Sequence, residues 1–531
     1  MSDKALCELC EKNPASVHYT EIAEARVAKL FICRGCAEER GLLEEGPDVD
    51  QLLSSLAKPE SESAPPAPAL RCSRCGLTFA QFQERGRLGC PSCYAGFGES
   101  LLKLLQEIHR QTRHTGRRPG GSAVGGEKRE RLGHLRRELE LAVRTEDYER
   151  AARLRDDIRA TESGAVLPAP AAPAAGPSAA RSVSELVRRP SVWLRGEGPE
   201  QEIVLSTRIR LARNLADRVF PQGAGPEARA AALREILART EALGLESGEL
   251  RLVLAPLQPV ERRILGERQL LSQEVVDAPA ERGVVIAGDE SVSFIINEED
   301  HMRLQALCSG LDLERAQSAA TRLEASLEER LEFAFDDGLG FLTACPTNTG
   351  TGMRASVLLH LPGLVLDNRM EGELAALHRL GVTVRGYHGE GSAALGNFFQ
   401  VSNALTLGLR EEEILERLEG VTHDLIVKEK QSQEALLSRA RSLLEDRIWR
   451  SYGILRHARK LNAQETLQHA SMLRLGASTG ILDLSRQVLT EILTLGQEAH
   501  TELLAGSDGD AVQRSIWRAA AIRKRLEGSQ N

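Results

Sequence analysis

The placement of the cysteines constrains this 531-residue chain more than any other feature. Of its ten cysteines, eight form four CxxC pairs near the start: Cys7/Cys10, Cys33/Cys36, Cys72/Cys75 and Cys90/Cys93. Cys308 and Cys345 stand alone. A CxxC turn offers two thiolates to one tetrahedral ion, and two such turns close a four-thiolate site, for which zinc is well suited. Pairing in chain order gives one site from Cys7, Cys10, Cys33 and Cys36 and another from Cys72, Cys75, Cys90 and Cys93. Closed sites of this kind hold structure and leave no position open for catalysis. No basic segment followed by an apolar one opens the chain. The most apolar run, 357–366, is too short to span a bilayer and is interrupted by His360 and Pro362. A cytoplasmic protein with no membrane contact is expected, and reducing conditions there favour zinc over disulfides.

Length predicts three to four units. Pro/Ser/Ala-rich (58–70), Gly/Arg-rich (110–128) and Ala/Pro-rich (162–182) breaks separate them, the last reading as an extended spacer. The reading is a first zinc module at 1–57, a second at 71–109, a helical hairpin at 128–161, a linker at 162–190, an α+β catalytic domain at 191–424 and a helical domain at 425–531. In the hairpin, Leu132, Leu135 and Leu139 recur at helical spacing, followed by Tyr148, Ala151, Ala152, Leu154 and Ile158. A net charge of -8 and 4% aromatic residues argue against nucleic acid as a partner.

The α+β region places arginines where a core does not need them. In IVLSTRIRLARN, Arg208 and Arg210 are two apart, so a strand sends both to one face. An anion between them, such as a polyphosphate, eases that repulsion through bidentate bonds. Arg354 follows a Gly/Thr-rich turn whose amides could approach phosphate, Arg385 sits beside glycines in RGYHGEGS, and Arg303 follows NEEDHM. The carboxylates Glu298, Glu299, Asp300 and Glu390 fall where strands give way to loops, the usual place for reacting groups.

Four segments, STRIRLARN, NEEDHMR, LTACPTNTGTGMRASV and RGYHGEGSAALGN, resemble the phosphagen (guanidino) kinase superfamily, and within it the bacterial protein-arginine kinases of the McsB family. The CxxC pairs and the hairpin segment LRRELELAVRTEDYERAARLRDDIR, which resembles a UVR motif, are similar to the zinc-binding activator family McsA. The whole looks like a fusion of activator and kinase. The resemblance implies a guanidino-kinase (glutamine-synthetase-like) α+β domain with an antiparallel sheet and a helical C-terminal domain. It implies ATP with Mg²⁺, alongside Zn²⁺ in two structural sites, and protein substrates with exposed arginines. It also implies a Clp ATPase/protease and a stress-gene repressor as partners, and a homodimer.

Residue by residue, the resemblance implies a nucleotide site from Ser206, Thr207, Arg208, Ile209 and Arg210 with Gln269 and Arg303. Arg354, Ala355, Ser356, Val357 and Leu358 join it, as do Arg385, Gly386, Tyr387, His388, Gly389 and Glu390. Glu299 and Glu390 match the carboxylates that hold the acceptor guanidinium, and Cys345 matches a cysteine near the acceptor nitrogen. Gln269 stands where the family has His, which implies altered nucleotide affinity. A C-terminal phosphoarginine pocket maps to Arg514, Ser515, Arg518 and Ala519, with Ser515 in place of Asp. Two other activities share these features, a kinase for free arginine and a zinc adaptor without turnover.

Overall fold

The computed structural model describes residues 17–23, 26–32, 70–120, 152–156, 158–159, 182–196, 198–241, 243, 245, 249–386, 395–506 and 510–527. They fall into two compact units, Met1–Ala64 and Pro65–Asn531. In the first, strands β1 (Val17–Ala23) and β2 (Arg26–Ile32) pair antiparallel, with Val17 opposite Ile32. Cys7, Cys10, Cys33 and Cys36 lie outside the described residues. So does most of the expected hairpin, of which 152–156 and 158–159 are helical.

The second unit opens with a small cysteine module. Helix α1 (Phe79–Arg85) starts at a capping box in which Thr78 Oγ1 accepts from the Gln81 amide and Gln81 Oε1 accepts from the Thr78 amide. It stops at Gly86 in the left-handed conformation. Helix α2 (Ser92–His109) buries Phe97, Leu101, Leu104 and Leu105 along one stripe. Phe97 packs on Phe79 and Phe82, with ring centroids 5.3 and 5.9 Å away. Residues 110–120, expected as a break without periodicity, instead lie against the catalytic domain. The His114 amide donates to the Gly338 carbonyl (2.6 Å), and Arg117 pairs with Glu324 and Glu328. Charge pairing holds this segment, so an apolar pattern does not reveal it.

The catalytic domain is built on an eight-stranded sheet. Its strands are β3 (Val204–Arg213), β4 (Glu249–Val253), β5 (Gly283–Ala287), β6 (Val292–Ile296), β7 (Met302–Ser309), β10 (Met353–His360), β11 (Val382–Gly386) and β12 (Phe398–Asn403). The short pair β8 (Phe335–Asp336) and β9 (Gly340–Phe341) stands apart. The spatial order is β11-β12-β10-β3-β7-β6-β5-β4, antiparallel throughout. On one face Ile209, Leu211, Leu304, Ala306, Val357 and Val401 form a continuous core with helix α3 (Leu313–Glu328) and the start of helix α4 (Glu411–His457). Alternation therefore sends Arg208, Arg210, Arg303 and Arg354 to the other face.

Helix α4 runs through position 424, the expected domain boundary, and departs from helical geometry at Ala440 (φ -143°, ψ 32°). Before the break, Ile414, Leu418 and Leu425 belong to the sheet's core; after it, Leu444, Ile448 and Leu455 belong to a second core. Helices α5 (Ala463–Ser478), α6 (Arg486–Leu495), α7 (Glu498–Ala505) and α8 (Ala511–Glu527) complete this end of the chain. Their core also takes in Leu307 and Leu358, at the far end of the arginine-bearing face.

Candidate active site

The site is assembled by strand register. Arg210 on β3 lies opposite Arg354 on β10 and opposite Gln305 on β7, and Arg208 lies opposite Ser356. Arg303 faces Ala212, and Arg385 on β11 faces Gln400. All five arginines thus occupy one face. Burial and the charges of Arg303 and Arg354 push the Arg208 guanidinium down to about 9. Arg210 is pushed well below its usual range, by burial first and then by Arg208, Arg303 and Arg354. The Nε atoms of Arg208 and Arg210 are buried without a hydrogen-bond partner among the described residues. Half-buried cations that repel one another and hold donors in reserve can receive a polyanion.

Gln269 stands at this face in the left-handed conformation (φ 63°). Its Oε1 accepts from Arg208 Nη1 (3.4 Å), and its carbonyl accepts from Gln305 Nε2 (2.8 Å). Arg354 Nη2 donates to Ser402 Oγ (3.2 Å). The contiguous runs expected to line the site are divided by the pleat. Thr207, Ile209, Ala355 and Val357 turn their side chains to the opposite face; Ile209, Ala355 and Val357 join the core there, and Thr207 Oγ1 donates to the Gly310 carbonyl (2.7 Å). Ser206 is buried, and Leu358 packs with the C-terminal helices. Gly386 ends β11 at the sheet edge. Tyr387, His388, Gly389 and Glu390 lie outside the described residues.

Three amides of the Gly/Thr turn before Arg354 are not free for a ligand. Those of Thr349, Gly350 and Thr351 donate to the carbonyls of Pro346, Phe341 and Thr406. Gly350 (φ 111°) is needed for close packing, since a Cβ there would stand 2.3 Å from the Thr406 carbonyl oxygen.

Where β6 hands over to β7, the NEEDH acids separate. Glu298 pairs with Arg303 and accepts from Ser272 Oγ. Glu299 pairs with Arg87 of the cysteine module. Burial pushes the Glu299 carboxyl upward, opposed by the charge of Arg87, which improves it as a proton acceptor. Asp300 accepts from Asn214 Nδ2 (2.5 Å) and the Ala344 amide (2.7 Å), and burial pushes it up to about 7. Asp300 thereby fixes the loop carrying Cys345. That thiol is buried, lies 2.9 Å from Thr347 Oγ1, and is held up to about 11 by burial and then by the charge of Glu299. It is a neutral thiol at neutral pH. Sequence reasoning missed Gln305, Asn214 and the partnership of Glu298; Gln305, two residues beyond Arg303, could have been found from alternation alone.

In the cysteine module, the sulfur atoms of Cys72, Cys75, Cys90 and Cys93 lie within 4.8 Å of one another. The Cys72–Cys90, Cys75–Cys93 and Cys90–Cys93 separations are 3.6, 3.4 and 3.8 Å. A tetrahedron with metal–sulfur bonds of about 2.3 Å requires about 3.8 Å between sulfurs, so the cluster fits zinc.

At the other end of the chain, Arg514 and Arg518 both face Glu498, and Arg514 also faces Glu502. Arg518 is fully buried and donates to the Leu495 and Leu461 carbonyls, each at 2.8 Å. Ser515 Oγ donates to the Ala511 carbonyl, and Ala519 is buried in the C-terminal core.

Four family models match the chain. They are the McsA central zinc-finger domain at 70–116, the UvrB/uvrC motif at 129–163, the C-terminal catalytic domain of ATP:guanido phosphotransferases at 234–432, and the protein-arginine kinase McsB C-terminal domain at 441–531. A protein-arginine kinase of Desulforamulus reducens is 40% identical over 66% of this chain and 99% of its own length. One from Moorella thermoacetica is 44% identical over 64% of this chain and 99% of its own length. Among solved structures, lombricine kinase is 26% identical over 55% of this chain and 80% of that chain, with a TM-score of 0.40. With nearly the whole length of such relatives matched, and zinc-finger and UVR segments ahead of them, this chain belongs to the protein-arginine kinase family, in a form joined to McsA-type modules.

Proposed function

We propose that this chain transfers the γ-phosphoryl group of ATP to arginine side chains of proteins. The observation that carries the reading is the cationic sheet face of Arg208, Arg210, Arg303 and Arg354, with Glu299 at its NEEDH end. In this reading the arginines, with Arg385, hold the phosphates of ATP–Mg²⁺, and positioning and charge neutralisation supply most of the acceleration. An arginine guanidinium has a pKa above about 12 and is a poor nucleophile until it loses a proton. Glu299, with Glu390, orients its planar fork and takes that proton, while Cys345 lines the acceptor side as a neutral thiol.

Zinc is held structurally by Cys72, Cys75, Cys90 and Cys93, and in the same reading by Cys7, Cys10, Cys33 and Cys36. The finer proposals are a cytoplasmic setting, Clp-directed marking of the modified proteins, control of a stress-gene repressor, and a homodimer. Leu443, Trp449 and Ile454, exposed on the second half of α4, support the last. Arg514 and Arg518 are proposed to take phosphoarginine, which would have to displace Glu498.

The test is incubation of the zinc-loaded chain with ATP, Mg²⁺ and an unfolded protein, followed by mass spectrometry under conditions that spare N–P bonds. Acid-labile phosphate on arginine is expected, and Glu299→Gln should lower kcat by about 100-fold or more. ATP binding without any phosphoarginine would refute the reading.

A further inference from the structure

One contact at the acceptor end has no place in the phosphotransfer chemistry. Arg87 lies just beyond α1 in the cysteine module, far from NEEDH in sequence, yet its guanidinium is paired with Glu299. This is not an incidental touch of two surface chains, because the segment that follows Arg87 is built into the catalytic domain. The Leu88 amide donates to the Ala344 carbonyl (2.8 Å), one residue from Cys345, and the Gly89 carbonyl accepts from the Phe220 amide (2.8 Å). The Tyr94 hydroxyl donates to the Thr343 carbonyl (2.9 Å) and lies 2.7 Å from Thr349 Oγ1. His109 Nε2 lies 2.9 Å from the Pro346 carbonyl. The module is therefore moored along the loop 343–349, and Leu88 and Gly89, the two residues after Arg87, are both buried. A docked frame presents one guanidinium to one carboxylate.

We infer that Arg87 is an internal stand-in for the acceptor arginine, seated on Glu299 by the docked zinc module and displaced when a substrate arginine enters. This rests on the reading of Glu299 as the carboxylate that receives the acceptor guanidinium. A second guanidinium entering at Glu299 is repelled by the one already there and competes with it for the same oxygens. The Arg87 side chain is 40% exposed and that of Glu299 25%, so the pair is weak enough to open while its backbone mooring stays. Acceptors then bind with an affinity reduced by the fraction of molecules in which Arg87 is in place. The zinc module sets acceptor affinity in cis, and the chemical step is left alone once the acceptor is seated.

The experiment titrates L-argininamide calorimetrically into the full, zinc-loaded chain and into its Arg87→Gln variant. A dissociation constant about threefold to tenfold tighter in Arg87→Gln is expected. Arg87→Lys, which keeps a cation on the same frame, should stay within about twofold of the parent. Arg85→Ala, at an exposed position of the same module, should change nothing. Equal affinities in the parent and Arg87→Gln, with zinc content intact, overturn the inference; so does an absence of argininamide binding to every variant. If Arg87→Gln loses zinc, the Arg87→Lys result decides, and there a tightening as large as that expected for Arg87→Gln overturns it. Turnover on a protein acceptor, measured on the same samples, tests the kinase reading separately, because argininamide binding requires no phosphotransfer.

Discussion

The arginines of the sheet face and those at the C-terminal end of the chain have surroundings that differ. On the sheet face, Arg208 and Arg210 are pressed against Arg303 and Arg354, and Glu298 pairs with Arg303. At the C-terminal end, Arg518 is deeper still, and its guanidinium meets two carbonyls and Glu498. A third case lies on the reverse of the same sheet. Arg213 donates to Glu324 (2.5 Å) and sits 3.5 Å over the Phe341 ring. Burial alone does not separate scaffold from receptor; what the buried donors already hold does.

Arg210→Ala should show the largest effect. Phosphotransfer is expected to fall by 100-fold or more, while the melting temperature holds or rises, because a repelling charge has been removed from the sheet. Loss of folding in that variant would break the distinction. Arg518→Ala should show the reverse, losing about 2 kcal/mol in urea unfolding, as the Leu461 and Leu495 carbonyls lose a charged donor. Its folded fraction should keep kcat close to the parent's. A collapse of kcat without any loss of stability would give Arg518 a part in the chemistry beyond the phosphoarginine role proposed for it.

The smallest effect concerns Asp300, whose folded pKa is raised to about 7 from 3.8. The native state therefore holds a proton that the unfolded chain releases, so stability falls as pH rises from about 4 to about 7. Asp300→Asn removes that titration and should flatten the slope of unfolding free energy against pH across this window. An unchanged slope would show that Asp300 does not titrate there.

These expectations also mark what the amino-acid order reveals. Arg208 and Arg210 were legible because alternation is a local property of strands, and the same rule excludes the side chains of Thr207, Ile209, Ala355 and Val357 from that face. A motif carried over as an unbroken run blurs that distinction. The Gly350 turn invited a phosphate-binding reading from composition; only the tertiary positions of Phe341 and Thr406 show that the Gly350 and Thr351 amides are already engaged. Apolar periodicity continues through 424 and does not register the break at Ala440, which follows from two cores meeting along one helix. The partnership of Arg87 with Glu299 depends on how a separate module docks, and no local pattern encodes it.

The bond between the Leu88 amide and the Ala344 carbonyl has a consequence for dosage. A free regulator occupies its enzyme to a degree set by how much of each the cell makes. Here the two surfaces share one polypeptide, so association is a first-order event at a fixed local concentration, indifferent to dilution and to expression level. Every copy of the enzyme is made with its own zinc module, and the relative abundance of the two is no longer a variable.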